Sequence, residues 1–188
     1  MKPRLAPDVE RLRGPRFLPR FSCLADRCPD TCCKTWHVEV DAAHFAKLEA
    51  VLLADPAEAP RFARAFGPDP AGGPHRLLVF NEQQRCHYLT PTETCELHAR
   101  FGEPVLGDTC SMYPRFVQVL DGVPEASARL SCPEVARLVL LADDALEPIV
   151  VDRAAAGRGV IAARLRSTAD GNGFLDVLRE SLASLLDR

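Results

Sequence analysis

Eight cysteines constrain this 188-residue chain more than any other feature. They fall into two groups, Cys23-x4-Cys28-x3-Cys32-Cys33 and Cys86-x8-Cys95-x14-Cys110-x21-Cys132. The N-terminus has no apolar core segment and no small-residue cleavage site, so it does not read as a secretory signal. A cytoplasmic chain is therefore expected, in which thiols stay reduced unless something holds them. Thiolates are the soft donors preferred by zinc and iron–sulfur clusters, and loop backbone lets distant sulfurs converge. The expectation is a metal centre, an iron–sulfur cluster before zinc, with all eight cysteines as candidate ligands. The alternatives are buried thiols that only pack and a disulfide framework. The spacings match neither paired C-x2-C zinc fingers nor the C-x2-C-x2-C run of bacterial ferredoxins. Neighbouring side chains usually diverge, so Cys32 and Cys33 are expected to take different roles. Cys132 is expected in the first turn of a helix, where the dipole favours a thiolate.

Composition excludes some partners. Apolar residues make up 47 %, charged residues 26 %, and the net charge is −3, which gives no reason to expect nucleic acid or an anionic membrane. The longest apolar run, Leu138 to Ala142, is far too short to span a bilayer.

Periodicity and punctuation supply the elements. Residues 1–20, with arginines set between Pro3, Pro7, Pro15 and Pro19, read as a basic flexible arm. Residues 21–142 read as a cysteine-rich metal-binding domain and 143–188 as a helical C-terminal segment. Trp36, Val38 and Val40 alternate as a short strand, with Trp36 a core or shielding residue. Asp41 caps a helix expected from Ala42 to Ala54, with Phe45, Leu48 and Leu52 as its apolar stripe. A short helix from Arg61 leads into the loop Gly67–Pro74, and Leu77–Phe80 reads as a strand. Asp121-Gly122 joins two extended runs in a hairpin, and Pro124 marks the second arm as an edge strand. Ser131 and Glu134 fit a capping box for a helix to about Leu141. Further helices are expected within Ala154–Thr168 and over Phe174–Leu186. The fold class is α+β, mainly helical, with short strands and the hairpin around cysteine-rich loops.

His37, His87 and His98 read as surface or hydrogen-bonding residues, although the last two lie close to cysteines. His44 and His75 carry no reading. Tyr113 and Arg115 read as loop residues that offer, as an alternative, a grip on an anionic group.

Three stretches together resemble the flagellin lysine-N-methylase family. The first is Phe21-Ser-Cys23 with Cys28-x3-Cys32-Cys33-x2-Trp36 and Val40-Asp41. The second is Cys86, Leu89, Cys95-Glu-Leu, Gly102-Glu103 and Cys110-x2-Tyr113-Pro114-Arg115. The third is Ser131-Cys132-Pro133-Glu134-x-Ala136-Arg137-Leu138. The first two also resemble a broader group of zinc- or iron-chelating domains. The resemblance implies methyl transfer from S-adenosylmethionine to lysines of flagellin as a protein substrate. It also implies an iron–sulfur cluster, expected as 4Fe-4S, held by cysteines drawn from Cys23, Cys28, Cys32, Cys33, Cys86, Cys95, Cys110 and Cys132. Members of that family continue well beyond the segment that ends this chain. No G-x-G-x-x-G in a strand–helix context and no C-x3-C-x2-C is present, so donor use rests on the resemblance alone. Asp41, Glu103 and Glu134 are the carboxylates near the cysteines suited to deprotonating a lysine amine, each with a capping or surface role as the alternative. The rival readings are a non-enzymatic iron- or zinc-binding protein, serving structure, metal handling or electron transfer, and a zinc-stabilised interaction module.

Overall fold

The computed structural model describes residues 3–34 and 38–166, together with Val177, Ser181 and Ser184. In chain order its elements are β1 (Arg11–Pro15), β2 (Glu39–Val40), α1 (Ala42–Leu52), α2 (Ala59–Ala65), β3 (Phe66–Pro68), β4 (Arg76–Leu78), α3 (Glu96–Phe101), α4 (Asp108–Met112), β5 (Arg115–Leu120), β6 (Val123–Ala128), α5 (Pro133–Leu140), β7 (Pro148–Asp152) and β8 (Ile161–Leu165). Short 3-10 turns link them. The class is α+β as expected, but two sheets rather than helices make the frame, and the longest helix among the described residues, α1, has 11 residues. The strand residues Trp36 and His37 lie outside the described residues. So does the expected Phe174–Leu186 helix, apart from three helical positions.

Two compact units emerge, one of Leu24–Tyr113 and one of Lys2–Cys23 with Pro114–Arg188. The second is built on a sheet of order β7-β1-β6-β5-β8. The expected flexible arm is here a strand: Arg11–Pro15 pairs antiparallel with β7 through five registers and meets β6 at Arg13↔Glu125. Its prolines do not prevent this, because Pro15 stands at the strand's end, and Leu5, Leu12, Phe17 and Leu18 are buried. Gly14 is needed for the packing, since a Cβ there would stand 3.1 Å from the Ala126 carbonyl oxygen.

The hairpin of β5 and β6 forms as expected, with Leu120 opposite Val123. Asp121 and Gly122 both take positive φ, 49° and 84°, as a two-residue turn with the right twist requires. However, β6 is not an edge strand, because β1 lies on its other side. That contact centres on Glu125, so the missing amide of Pro124 is not required for it. The helix expected within Ala154–Thr168 is instead a 3-10 turn, Arg153–Ala156, followed by β8. Pairing with β5 overrides the alanine-rich helix preference of Ile161–Leu165. The capping box also shifts: Cys132 is the cap of α5, Pro133 its first residue, and Glu134 pairs with Arg137 through two contacts of 2.7 Å.

The Leu24–Tyr113 unit carries the small sheet β2-β4-β3. Asp41 caps α1 as expected, its carboxylate accepting from the His44 amide at 3.1 Å. Leu48 and Leu52 of the expected stripe are buried, and Phe45 packs half-buried against the same core. Phe45, Phe62 and Phe66 form a triangle of rings with centroids 5.0 to 5.5 Å apart, within the range of favourable aromatic contact. Tyr88, fully buried, completes this core.

Candidate metal centre

Three short pieces of backbone bring four cysteines of the Leu24–Tyr113 unit together. The first is the bend at 30–34. Asp30 accepts from the Thr31 amide at 2.8 Å and from Lys34 Nζ at 2.6 Å, and the Cys33 amide donates to Thr31 Oγ1 at 3.1 Å. Lys34 then bridges to Arg85, and the Cys86 amide donates to the Cys33 carbonyl at 3.0 Å. This clamps the first cysteine group onto the second.

The second piece is the turn 81–85. Asn81 Oδ1 accepts from the amides of Gln83 and Arg85, both at 3.0 Å, and Gln84 takes a positive φ. The turn reverses the chain and delivers Cys86, which is buried and accepts from the Tyr88 amide on its sulfur at 3.4 Å. The third is the turn 90–94, closed by Thr90 Oγ1 against Thr94 Oγ1 at 2.7 Å. It returns the chain so that Leu89 bridges to Cys95. Cys95 is the N-cap residue of α3, where the backbone amides of Leu97 and His98 at the helix start favour its thiolate.

The sulfurs interact directly. The Cys33 thiol is hydrogen-bonded to both Cys32 and Cys95. Those two bonds raise the Cys33 pKa first, ahead of burial. The reciprocal bond from Cys33, helped by the helix amides, lowers Cys95 to about 7. Cys32, exposed at the rim, is lowered by the same partner. Cys86 is pushed up to about 11, chiefly by burial. Cys32 and Cys33 thus join one group rather than diverging, because the chain bends at these two residues.

The scaffold beneath the sulfurs is ionic. Arg61 of α2 donates to the His87 carbonyl at 3.0 and 2.8 Å, pairs with Glu96, and stacks 4.2 Å from the centroid of the Tyr88 ring. Arg100 bonds Glu58 and Glu96, both at 2.8 Å. These bonds fix His87–Tyr88 and Glu96, the direct neighbours of Cys86 and Cys95. His87 is held toward its neutral form, by burial first and then by Arg64 and Arg61.

The other predicted ligands are placed as follows. Cys28 ends the 3-10 turn Ala25–Arg27 and is half-buried. Cys110 lies in α4, half-buried against the core of the same unit. Cys23, exposed, and Cys132, buried, belong to the other unit. Of the carboxylates, Asp41 caps α1, Glu134 pairs with Arg137, and Glu103 accepts a very short bond from Ser111 Oγ.

The donor set fits a metal–thiolate centre. Three sulfurs drawn from both sequence groups, those of Cys32, Cys33 and Cys95, are hydrogen-bonded to one another through Cys33. The buried Cys86 thiol lies close enough to Cys95 and Cys32 to feel their charge, and metal binding replaces thiol protons. Three of the four are withdrawn from solvent, and one sits at a helix start that favours the thiolate.

No protein-family model matches the chain, and no solved structure matches its fold. Among curated proteins it is 27 % identical over 144 residues to the lysine-N-methylase of Salmonella typhimurium. It is 28 % identical over 144 residues to the lysine-N-methylase of Salmonella choleraesuis. A third relative, the flagellar biosynthetic protein FliU of Salmonella muenchen, is 27 % identical over 139 residues. Each match covers 70 % of this chain. The chain spans 33 % of either lysine-N-methylase and 78 % of FliU.

Proposed function

Because this chain is a relative of the lysine-N-methylases, we propose that it serves methyl transfer to lysine side chains of a protein, with flagellin as the substrate and S-adenosylmethionine as the donor. The relationship carries this reading; the flagellar name of FliU supports the choice of substrate. We propose further that Cys32, Cys33, Cys86 and Cys95 hold a resident metal group, an iron–sulfur cluster in the first instance and zinc in the second. Cys23, Cys28, Cys110 and Cys132 remain ligand candidates through the family resemblance.

When bound, such a cluster would supply either a rigid cross-link or an electron-transfer centre. The chain's own residues prepare the site. Cys95 presents its sulfur to two helix amides, which favours the anion. Cys86 is kept from water by its burial, and Arg61 holds the loop that carries it. A methyl acceptor must be a neutral amine, so the transfer also requires a group that takes the ammonium proton.

The test is incubation of the full chain, purified with its metal, with methyl-labelled S-adenosylmethionine and flagellin. Label in flagellin lysines supports the reading; absence of both donor binding and label overturns it. The cysteine group taken by itself also fits a second reading. A metal-binding module without its own transfer site would bind iron or zinc through the same cysteines and leave flagellin unlabelled.

A further inference from the structure

Away from the cysteines, the same unit gathers three other ligand-type side chains. Asp41, His44 and Asp108 each offer one ligand atom, and the three atoms lie within 4.8 Å of one another. Asp41 and His44 stand at the start of α1, and Asp108 opens α4, some sixty residues later. The two segments are locked together. Gly107 packs on Val40 so closely that a Cβ would stand 3.3 Å from the Val40 Cα, and the Asp108 amide donates to the Asp41 carboxylate. Within the group, Asp41 Oδ2 meets His44 Nδ1 at 2.7 Å.

Capping explains why Asp41 lies over α1. Asp108, only 4 % exposed, brings a second carboxylate within 4.8 Å of the first. The side chains of His44 and Asp41 are only 11 % and 17 % exposed. Two carboxylates so close and so little hydrated are best accommodated beside positive charge, which a protonated His44 or a bound cation supplies. One imidazole and two carboxylates form a donor set for a divalent ion of intermediate hardness, distinct from the soft thiols.

We propose that Asp41, His44 and Asp108 form a second cation site, for a divalent ion such as Mn2+ that takes oxygen and nitrogen ligands. It is independent of the methyl-transfer reading and of the thiol centre. Mn2+ is the probe, because thiolates compete for it poorly. The full chain is titrated with Mn2+ and free ion is followed by electron paramagnetic resonance. One ion per chain is expected, with spin-echo modulation from an imidazole nitrogen. Asp108→Asn and His44→Gln should each weaken binding at least ~10-fold, while Cys33→Ser leaves it unchanged. Circular dichroism in chelator establishes that the variants fold, and His44→Gln decides the matter if Asp108→Asn does not. No loss of free Mn2+ signal with the full chain, or unaltered binding by a folded His44→Gln variant, overturns the proposal.

Discussion

Single side chains decide how firmly the cysteine loops are held. Arg61 satisfies the His87 carbonyl and the Glu96 carboxylate and covers the Tyr88 ring. A hydrogen bond to a charged group contributes roughly 1.5–3 kcal/mol, so Arg61→Met should lower unfolding free energy by about 2 kcal/mol in a urea titration. An unchanged midpoint would show the network to be dispensable. A contrasting residue is Asp144. Arg20 donates to it at 2.8 and 2.6 Å, which lowers its pKa, but the pair is exposed to water. A carboxylate with a depressed folded pKa stabilises above its unfolded pKa, near 3.9, and loses that contribution as pH falls through the folded value. Asp144→Asn should therefore reduce the drop in melting temperature between pH 5 and about pH 3. The effect should be slight and should vanish in high salt. Asp41 was legible from sequence as a cap. Its neighbour His44 was not, although a histidine three residues after an N-cap aspartate is the available signal for their pairing.

At the level of elements, the sequence was informative where local chemistry was strong. The Asp121-Gly122 turn and the start of α1 are examples, both set by contacts a few residues apart. Gly122 has positive φ and nothing within 4 Å of an added Cβ, so Gly122→Ala tests backbone strain alone. It should cost about 1 kcal/mol or somewhat more in thermal unfolding. A melting temperature equal to that of the unaltered chain would contradict the turn assignment. Elements set by distant partners were missed. β1 pairs with β7, more than a hundred residues away, and β8 takes its form from β5. α3 and α4, of six and five residues, are too short to show a helical period, and Cys95 is not an oxygen-bearing cap that would announce a helix.

Across the whole molecule, the eight cysteines were legible as ligand candidates but not their grouping. The sequence divides them into two runs, whereas the Leu24–Tyr113 unit draws Cys32 and Cys33 from one run and Cys86 and Cys95 from the other. The Lys34–Arg85 bridge that joins them is non-local and has no sequence signature. No helix among the described residues is long and apolar enough to cross a membrane.

The central claim is that these four cysteines hold a metal group. It is tested most directly by iron, zinc and sulfide analysis of the anaerobically purified full chain beside its Cys33→Ser and Cys95→Ser variants. The account predicts iron with matching sulfide, or zinc without sulfide, in the unaltered chain and a clear loss of that metal in both folded variants. A full chain with neither metal, or variants that retain all of it, would contradict the claim.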